Sequence, residues 1–443
     1  MLRCGRAGAG MKVAIVGSGI SGLAAAHRLQ GHAELTLFEA GDYFGGHTHT
    51  VDLTLPGPNG PVTHGGDTGF LVFNERTYPQ LIQLFAELGV ATVPSDMSFS
   101  VQVPGGRGNG PLEWSGSSLN TVFAQRGNLV NPRFLRLLRD VLRFNALATD
   151  LAERGAEATL MQPLADFLQQ HQLSAEFRDW YFLPMLGCIW SCPTDQMLQF
   201  PVATMIRFCH NHGLLQVTNR PQWWSVPGGA RRYVEKILDP LADKRLNSPV
   251  DLITRDTQGV SITSRGQTER FDKVVLACHS DQSLRLLGNP TPGEVDALSA
   301  IRYQRNQAVL HTDTAVLPRQ RRAWAAWNYE RAPHGPKAPN GQPQNEARVC
   351  LHYLLNLLQP LPFKQSVLVS LNPVQAIDPA QVHGRFDYAH PVFDVAAIRA
   401  QGQIPTLQGQ QHTYFCGAWT GYGFHEDGLK SGLDVAARLL QRR

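Results

Sequence analysis

A chain of 443 residues is long enough for two or three domains and for a core that keeps water out of a sizeable site. Its 43% hydrophobic and 17% charged residues exclude disorder of the whole chain, and a net charge of +4 without a long Lys/Arg block excludes a nucleic-acid partner. No apolar run approaches the roughly 18 residues of a membrane span, and seven scattered cysteines make no disulfide framework, so reduced thiols in the cytoplasm are expected.

The opening MLRCGRAGAG carries basic residues with no apolar core behind them, so it fails as a signal peptide and reads as a disordered leader. From Met11 the chain reads strand (KVAIVG), glycine turn, helix (Leu23 to Leu29), strand (ELTLFEA) and a second glycine turn, a βαβ opening that implies a parallel sheet. Residues from about 74 to 213 read as mainly helical, with periodic stretches such as TYPQLIQLFAELG and NPRFLRLLRDVLRF. In the second of these, Phe134, Leu137, Leu138, Val141 and Leu142 share a face, while Arg133, Arg136, Arg139 and Arg143 lie away from it. Such a basic amphipathic helix suits either an anionic lipid surface or a solvated face over the core. After WWSVPGG, a helix (Arg231 to Leu238) and the strands SPVDLITRD, GVSITSR and DKVVLACHS read as a return to the first sheet. Further strand candidates, NQAVLHTD, RAWAAWNY, ARVCLHYLL and SVLVSLN, suit a second, mostly antiparallel sheet with a mobile loop, APHGPKAPNGQPQNE. No fixed-period repeat is present, which excludes solenoids and propellers.

Gly17, Gly19 and Gly22 form GSGISG directly between a strand and a helix. In that context the first glycine makes the turn, the second lets backbone approach a pyrophosphate, and the third brings helix against sheet. Ser18, Ile20 and Ser21 complete the loop and the helix start, where free N–H groups face the anion. Glu39, followed by Ala40, ends the next strand about twenty residues on, placed to accept hydrogen bonds from a ribose diol. A second glycine pair, Gly45 and Gly46, follows within EAGDYFGGHTHT. A nicotinamide cofactor has no need of it, whereas a flavin held along its length requires a second loop near the pyrophosphate and ribityl chain.

The combination of GSGISGLAAAHRL, FEAGDYFGGHTHT, VPGGARRYV and the final YFCGAWTGYGFHEDGLKSGLDVAARL resembles the flavin amine oxidase superfamily, which also contains phytoene desaturase and protoporphyrinogen oxidase. Within it, GGDTGFLVFNERTYPQL, MSFSV, FCHNHGLL, RPQWWSVPGG, VVLACHSDQSLRLL and GFHEDGLKSG look like the bacterial FAD proteins often found beside cyclopropane-fatty-acid-type methyltransferases. The N-terminal domain of plant cyclopropane synthases also represents that subfamily. The resemblance implies an α/β plus α+β, amine-oxidase-like fold: a Rossmann-like FAD-binding domain of residues 1–75, 214–290 and 400–443, interrupted by a helical and antiparallel-sheet substrate domain of residues 76–213 and 291–399. Carried over by position, Gly17, Gly19, Gly22 and Glu39 would hold the ADP half of FAD, and Gly45, Gly46, His47 and Thr48 the pyrophosphate and ribityl region. Val250 matches a residue whose backbone contacts adenine, and Gly69 and Phe70 fall where a strand passes the isoalloxazine. The superfamily usually has arginine at His47, so charge donation to the phosphates is weaker or pH-dependent here.

The resemblance also explains why GAWTGYGF precedes a clean helical pattern. In the superfamily this segment wraps the flavin and then starts a helix whose N-terminus points at the N1/C2 edge, where reduction places negative charge. Here Asp427 and Gly428 begin that helix, and Leu429, Leu433, Ala436 and Leu440 supply its buried stripe. Relatives carry an acid after the glycine of this turn for a ribityl hydroxyl. Gly417 is followed by Ala418, so ribityl contacts differ. His425 stands near the place of an amine-binding aromatic cage residue, which weakens an amine reading. It is the candidate acid/base, with space filling as the alternative.

CIWSC at 188–192 with Cys209, His210 and His212 matches no common zinc spacing, so buried thiols rather than a metal are expected, with the two histidines either lining the substrate cavity or satisfied in the core. Trp223, Trp224, Trp324 and Trp327 read as core, with the aromatic wall of a cavity for an apolar substrate as the alternative. The resemblance implies an FAD oxidoreductase that dehydrogenates or desaturates a long apolar substrate, such as a (methylated) fatty acyl chain of a phospholipid. Its flavin would accept hydride at N5 while the protein supplies orientation and a dry cavity. The alternatives are an amine or amino-acid oxidase and a non-catalytic flavoprotein partner of a lipid methyltransferase. A cytoplasmic location is expected, with peripheral contact on the inner membrane face as an option.

Overall fold

The computed structural model describes residues 10–106, 110–156, 160–191, 193–216, 220–332 and 349–441. Most of the leader, Cys192 and most of the loop expected near residues 332–346 lie outside the described residues. Five strands form a parallel sheet in the order Asp243–Arg245, Glu34–Phe38, Lys12–Val16, Lys273–Leu276, Thr413–Phe415. The central strand KVAIV is buried at every position after Lys12, as expected for a strand covered on both faces. The chain leaves this sheet after Phe38 and rejoins it at residues 243, 273 and 413, so remote segments build one Rossmann-like region around three intervening segments.

Helices Ile20–Leu29 and His425–Gln441 pack together beside this sheet. Gly432 permits the approach: an added Cβ would sit 2.1 Å from the Ser21 carbonyl oxygen. The terminal helix starts at His425 rather than Asp427, and its buried residues are Gly428, Leu429, Gly432, Val435, Ala436 and Leu439. Leu433 and Leu440 are only partly buried. Two glycines, which a hydropathy pattern does not count as core, hold the inner positions.

A second sheet has seven strands, in the order Val382–Val392, Arg302–His311, Leu368–Leu371, Cys350–Leu354, Trp327–Glu330, Phe99–Val103, Leu112–Ser115. Every pairing in it is antiparallel except that of Trp327–Glu330 with Phe99–Val103. Residues 74–213 are therefore not helical throughout. The strands Val93–Ser95, Phe99–Val103 and Leu112–Ser115 fall inside the span, and the parallel partner of 99–103 lies too far along the chain for local periodicity to reveal. The helices Pro132–Glu153, Leu183–Trp190 and Val202–Asn211 bury Phe134, Leu186 and Ile206 in one core with Val101, Leu351 and Val369 of this sheet.

Of the three strands expected to rejoin the first sheet, only Lys273–Leu276 does so. Val250–Asp256 pairs with Gly259–Ser264, which pairs in turn with Gln267–Phe271, in a separate three-stranded sheet. The connections between them have only two residues, and such short links join antiparallel strands only.

In helix Pro132–Glu153 the inner face holds Phe134, Leu137, Asp140, Phe144, Asn145 and Ala148. Leu142 is 60% exposed. Asp140 takes an inward place because it accepts hydrogen bonds from the Ser174 amide and from Arg139 and Arg143. Arg133 and Arg136 flank the buried carboxylate of Glu176. No helix among the described residues is long and apolar enough to cross a membrane.

Candidate cofactor and substrate site

A cavity of ≈ 600 Å³ runs from the carboxyl ends of the parallel strands, at Val16, Phe38 and Ala277, to Trp327 and Tyr353 of the seven-stranded sheet. Its size and its position at strand ends are those of a cofactor and small-molecule site. The residues expected to bind the cofactor all line it except Gly22, Thr48, Asp427 and Gly428, which stand just behind the wall.

The first turn has the stereochemistry that GSGISG demands. Gly17 has φ +104, and a Cβ there would lie 2.7 Å from the Ala277 carbonyl oxygen. A Cβ on Gly22 would lie 2.0 Å from the carbonyl oxygen of Gly17, so this glycine seats the helix on the turn. Gly19 differs: nothing lies within 4 Å of its would-be Cβ, and its backbone forms cavity wall. Helix Ile20–Leu29 starts with no side-chain cap and no acid in its first turn, which leaves its amides for an anion.

The two glycine turns touch. Glu39 Oε2 accepts from the Ser18 amide at 3.0 Å and from Ser18 Oγ at 2.5 Å, and Ser18 Oγ in turn accepts from the Gly45 amide at 3.1 Å. A Cβ on Gly46 would come 3.1 Å from Gly19 Cα. This double cradle of bare backbone fits the pyrophosphate of FAD, with Glu39 at the strand end beside it.

His47 follows directly. Its ring lies 4.8 Å from that of Tyr388 and 5.3 Å from that of His390. Burial, and the neighbouring His390, His279 and His425, hold its pKa well below the ordinary histidine value. The ring is neutral across the physiological range, so it offers a dipole where an arginine would offer a charge. Its buried Nε2 has no hydrogen-bond partner. An orphaned donor or acceptor at this depth fits a site completed by a polar ligand.

Farther along, Phe70 and His425 stack with centroids 3.8 Å apart and planes 13° from parallel. His425 Nε2 is 2.6 Å from the Tyr233 hydroxyl, which is 2.8 Å from Thr48 Oγ1. Thr48 thus reaches the wall through Tyr233. Burial pushes His425 down to about 3, so at neutral pH it is the uncharged imidazole with a single ring proton. Asp427 accepts from the Tyr422 and Phe424 amides and closes the turn that presents Gly423 and Phe424 to the cavity. A Cβ on Gly428 would lie 2.8 Å from Ile20 Cγ2, so it belongs to the helix contact.

Sequence reasoning missed several wall residues. His279, Tyr303 and His390 approach from the segments between and beyond the parallel strands, and Arg285 is the one arginine on the described wall. Arg285 lies within VVLACHSDQSLRLL, where the i, i+4 pair with Asp281 was its visible signal. Trp223 and Trp327 line the cavity, whereas Trp224 and Trp324 do not. His212 lines it too, stacked on Phe208 and pushed by burial down to about 4, while His210 does not. Cys188 and Cys209 are buried thiols raised by desolvation, and no disulfide joins the described cysteines.

The far end is formed by Met97, Ile189, Phe208, Leu214, Trp223 and Tyr353. Glu39, in the cofactor half, is the only carboxylate on the described wall.

Residues 20–353 match the family model of the flavin containing amine oxidoreductases. In fold the chain is similar to a CLA-producing fatty acid isomerase from P. acnes, with TM-score 0.66 and 17% identity over 97% of this chain and 98% of that one. It is also similar to cyclohexylamine oxidase from Brevibacterium oxydans IH-35A, with TM-score 0.67 and 17% identity over 98% and 99%. Putrescine oxidase bound to putrescine gives TM-score 0.65 and 15% identity over 98% and 99%. No curated protein matches the sequence.

Proposed function

We propose, for a chain that belongs to the flavin containing amine oxidoreductases and is an FAD-dependent oxidoreductase, a long apolar substrate such as a (methylated) fatty acyl chain of a phospholipid, which it dehydrogenates or whose unsaturation it rearranges. The observation that carries this reading is the far end of the cavity, mainly aromatic and aliphatic, with His212 neutral and no carboxylate on its described wall. An ammonium ion brought there would be desolvated with aromatic faces but no carboxylate as counter-ion, whereas a hydrocarbon chain loses nothing. Fold similarity to a fatty acid isomerase supports the lipid reading, and similarity to two amine oxidases supports its rival.

When bound, FAD supplies hydride acceptance. The chain's own residues bind, orient and exclude water. The amides of Gly17, Ser18 and Gly45 are taken by Phe38, Glu39 and Ser18, so the amides of Gly19, Gly46 and the first turn of helix Ile20–Leu29 are those offered to the phosphates, and neutral His47 offers one ring nitrogen. The first turn of helix His425–Gln441 directs its positive end at the cavity, where it favours charge taken up by the ring system. The stack on Phe70, the bond to Tyr233 and the depressed pKa support a positioning role for His425 over proton transfer. Phe424 and Phe208, stacked at 4.8 Å, would hold the chain of the substrate beside that ring system.

Leu119, Leu129, Val130, Leu135 and Leu142 are exposed within one short span that also carries Arg126, Arg133, Arg136, Arg139 and Arg143. This mixture supports peripheral contact of a cytoplasmic enzyme with an anionic inner membrane face. The subfamily motifs further support a partnership with a methyltransferase acting on acyl chains.

The test is an anaerobic visible spectrum of the FAD-loaded protein, with phospholipids bearing unsaturated or methyl-branched chains and amines as parallel challenges, followed by analysis of the recovered chains. Flavin bleaching or altered unsaturation with lipid is the expected outcome. Bleaching by amines alone would overturn the substrate assignment.

A further inference from the structure

Away from the cavity, the seven-stranded sheet buries a group of side chains that the oxidoreductase reading leaves unused. Cys350 and His352 stand two residues apart on strand Cys350–Leu354, so both point to the same face. Glu330, on the neighbouring antiparallel strand, pairs directly opposite Cys350. Sheet register therefore brings a thiol, an imidazole and a carboxylate together. His352 Nε2 lies 3.2 Å from Glu330 Oε2 and 3.5 Å from Cys350 Sγ, and Cys350 Sγ lies 3.7 Å from Glu330 Oε2.

Those separations match the edges of a coordination tetrahedron. With Zn–S of about 2.3 Å and Zn–N and Zn–O of about 2.0–2.1 Å, tetrahedral angles place the ligand atoms roughly 3.3–3.6 Å apart. Each ligand also has an outer partner. Ser370 Oγ is 2.7 Å from His352 Nδ1 and is itself 2.6 Å from His311 Nε2, a relay that turns Nε2 toward the other two ligands. Gln375 Nε2 donates to the second oxygen of Glu330 at 3.0 Å, and the Val374 amide hydrogen-bonds the sulfur of Cys350. Outer partners of this kind fix tautomer and orientation in metal sites. Val374 and Gln375 also line a surface groove, which brings solvent within one residue of the cluster.

We propose that Glu330, Cys350 and His352 bind one divalent transition-metal ion, zinc by ligand type, with water in the fourth position. As the ion enters, the thiol gives up its proton to solvent. Thiolate and carboxylate then supply two negative charges against the two positive charges of the ion, which makes a buried site electrically neutral. The ion would clamp Trp327–Glu330 to Cys350–Leu354, the strands that carry Trp327 and Tyr353 to the substrate end of the cavity. It acts on the sheet and not on the flavin, so the proposal stands whatever the substrate proves to be.

Elemental analysis of the FAD-loaded full-length protein, dialysed against zinc and then against buffer, is expected to give about one zinc per chain. Cobalt(II) in its place is expected to show a thiolate-to-cobalt charge-transfer band and tetrahedral d–d bands, both lost in Cys350→Ser and weakened in Glu330→Gln. Flavin content serves as the check that these variants fold, and if Cys350→Ser does not, the wild-type cobalt spectrum decides alone. Retention of no metal, or of zinc without a thiolate–cobalt band, overturns the proposal.

Discussion

Gly19→Ala separates cofactor binding from folding more cleanly than any other change in the first turn. Gly19 has φ −63 and ψ 174, ordinary for alanine, and its would-be Cβ has open space around it. The folded apoprotein therefore tolerates the methyl, and the loss of chain freedom in the unfolded state stabilises it by about 0.4–1 kcal/mol. The open space is the cavity, where the methyl holds a phosphate away from the helix amides. Loss of one charge-assisted hydrogen bond costs about 1.5–3 kcal/mol, which lowers FAD affinity by roughly 10- to 150-fold. Gly22→Ala is the contrasting control. Its Cβ meets backbone at 2.0 Å, with no flexible side chain to yield, and overpacking of this kind costs about 1–3 kcal/mol or more. Urea unfolding of the apoproteins and FAD titration by fluorescence quenching distinguish the two. An unchanged FAD affinity in Gly19→Ala would refute the placing of the pyrophosphate against this turn.

Buried histidines make the apoprotein acid-sensitive. Burial lowers His212, His311 and His390 to about 4 and His425 to about 3. As pH falls below about 6.5 the unfolded chain takes up protons that the folded chain refuses, so stability drops. Asp67 and Asp427, raised by burial to about 6, oppose this between about pH 6 and 4. The histidines outnumber them, and the urea midpoint should fall steadily from pH 7 to pH 5; a flat or rising midpoint would contradict the assignment of neutral buried rings. At the surface, vesicles rich in phosphatidylglycerol should co-sediment the protein, with less binding in high salt and about tenfold less for Val130→Glu with Leu142→Glu. Both side chains are exposed, so folding is spared. Equal binding to neutral and anionic vesicles would remove the electrostatic component.

What could be read from the sequence was what depends on neighbours in the chain. GSGISG, the acid at Glu39 and the second glycine pair are fixed by local stereochemistry, and the residues named from them surround one cavity, with Gly22 and Thr48 just behind its wall. The strand Phe99–Val103 was hidden although Leu112–Ser115 pairs with it on one side, because the partner that builds it into the large sheet, Trp327–Glu330, is remote. Strand Asp243–Arg245, with only DKR to declare it, is an edge of the parallel sheet. On the inner face of the terminal helix Leu429 and Ala436 are buried as expected, while Gly428 and Gly432 escaped notice because they pack by what they lack. The Glu330, Cys350 and His352 cluster was invisible for a related reason. Its members share no ligand spacing along the chain, and strand register alone makes them neighbours.

The glycine- and aromatic-rich approach to the last helix answers three demands at once. Gly417 is bare because a Cβ would strike the Trp419 indole at 2.3 Å, and that indole is held by a hydrogen bond from Nε1 to the Cys278 carbonyl, just beyond the neighbouring parallel strand. Glu426 then accepts from the Gln80 and Leu81 amides at 2.8 and 3.0 Å, capping helix Pro79–Leu88, which has no side-chain cap of its own. Asp427 accepts from the Tyr422 and Phe424 amides, and the Trp190 indole reaches back to the Tyr422 carbonyl at 3.3 Å. His425, Glu426 and Asp427 are consecutive, yet they address the cavity, a helix of the interrupting segment and the preceding turn in that order. A shift of the terminal helix would therefore disturb the cofactor floor and the aromatic substrate wall together. This coupling gives a physical reason for three polar residues to stand half-buried or deeper at the start of one helix.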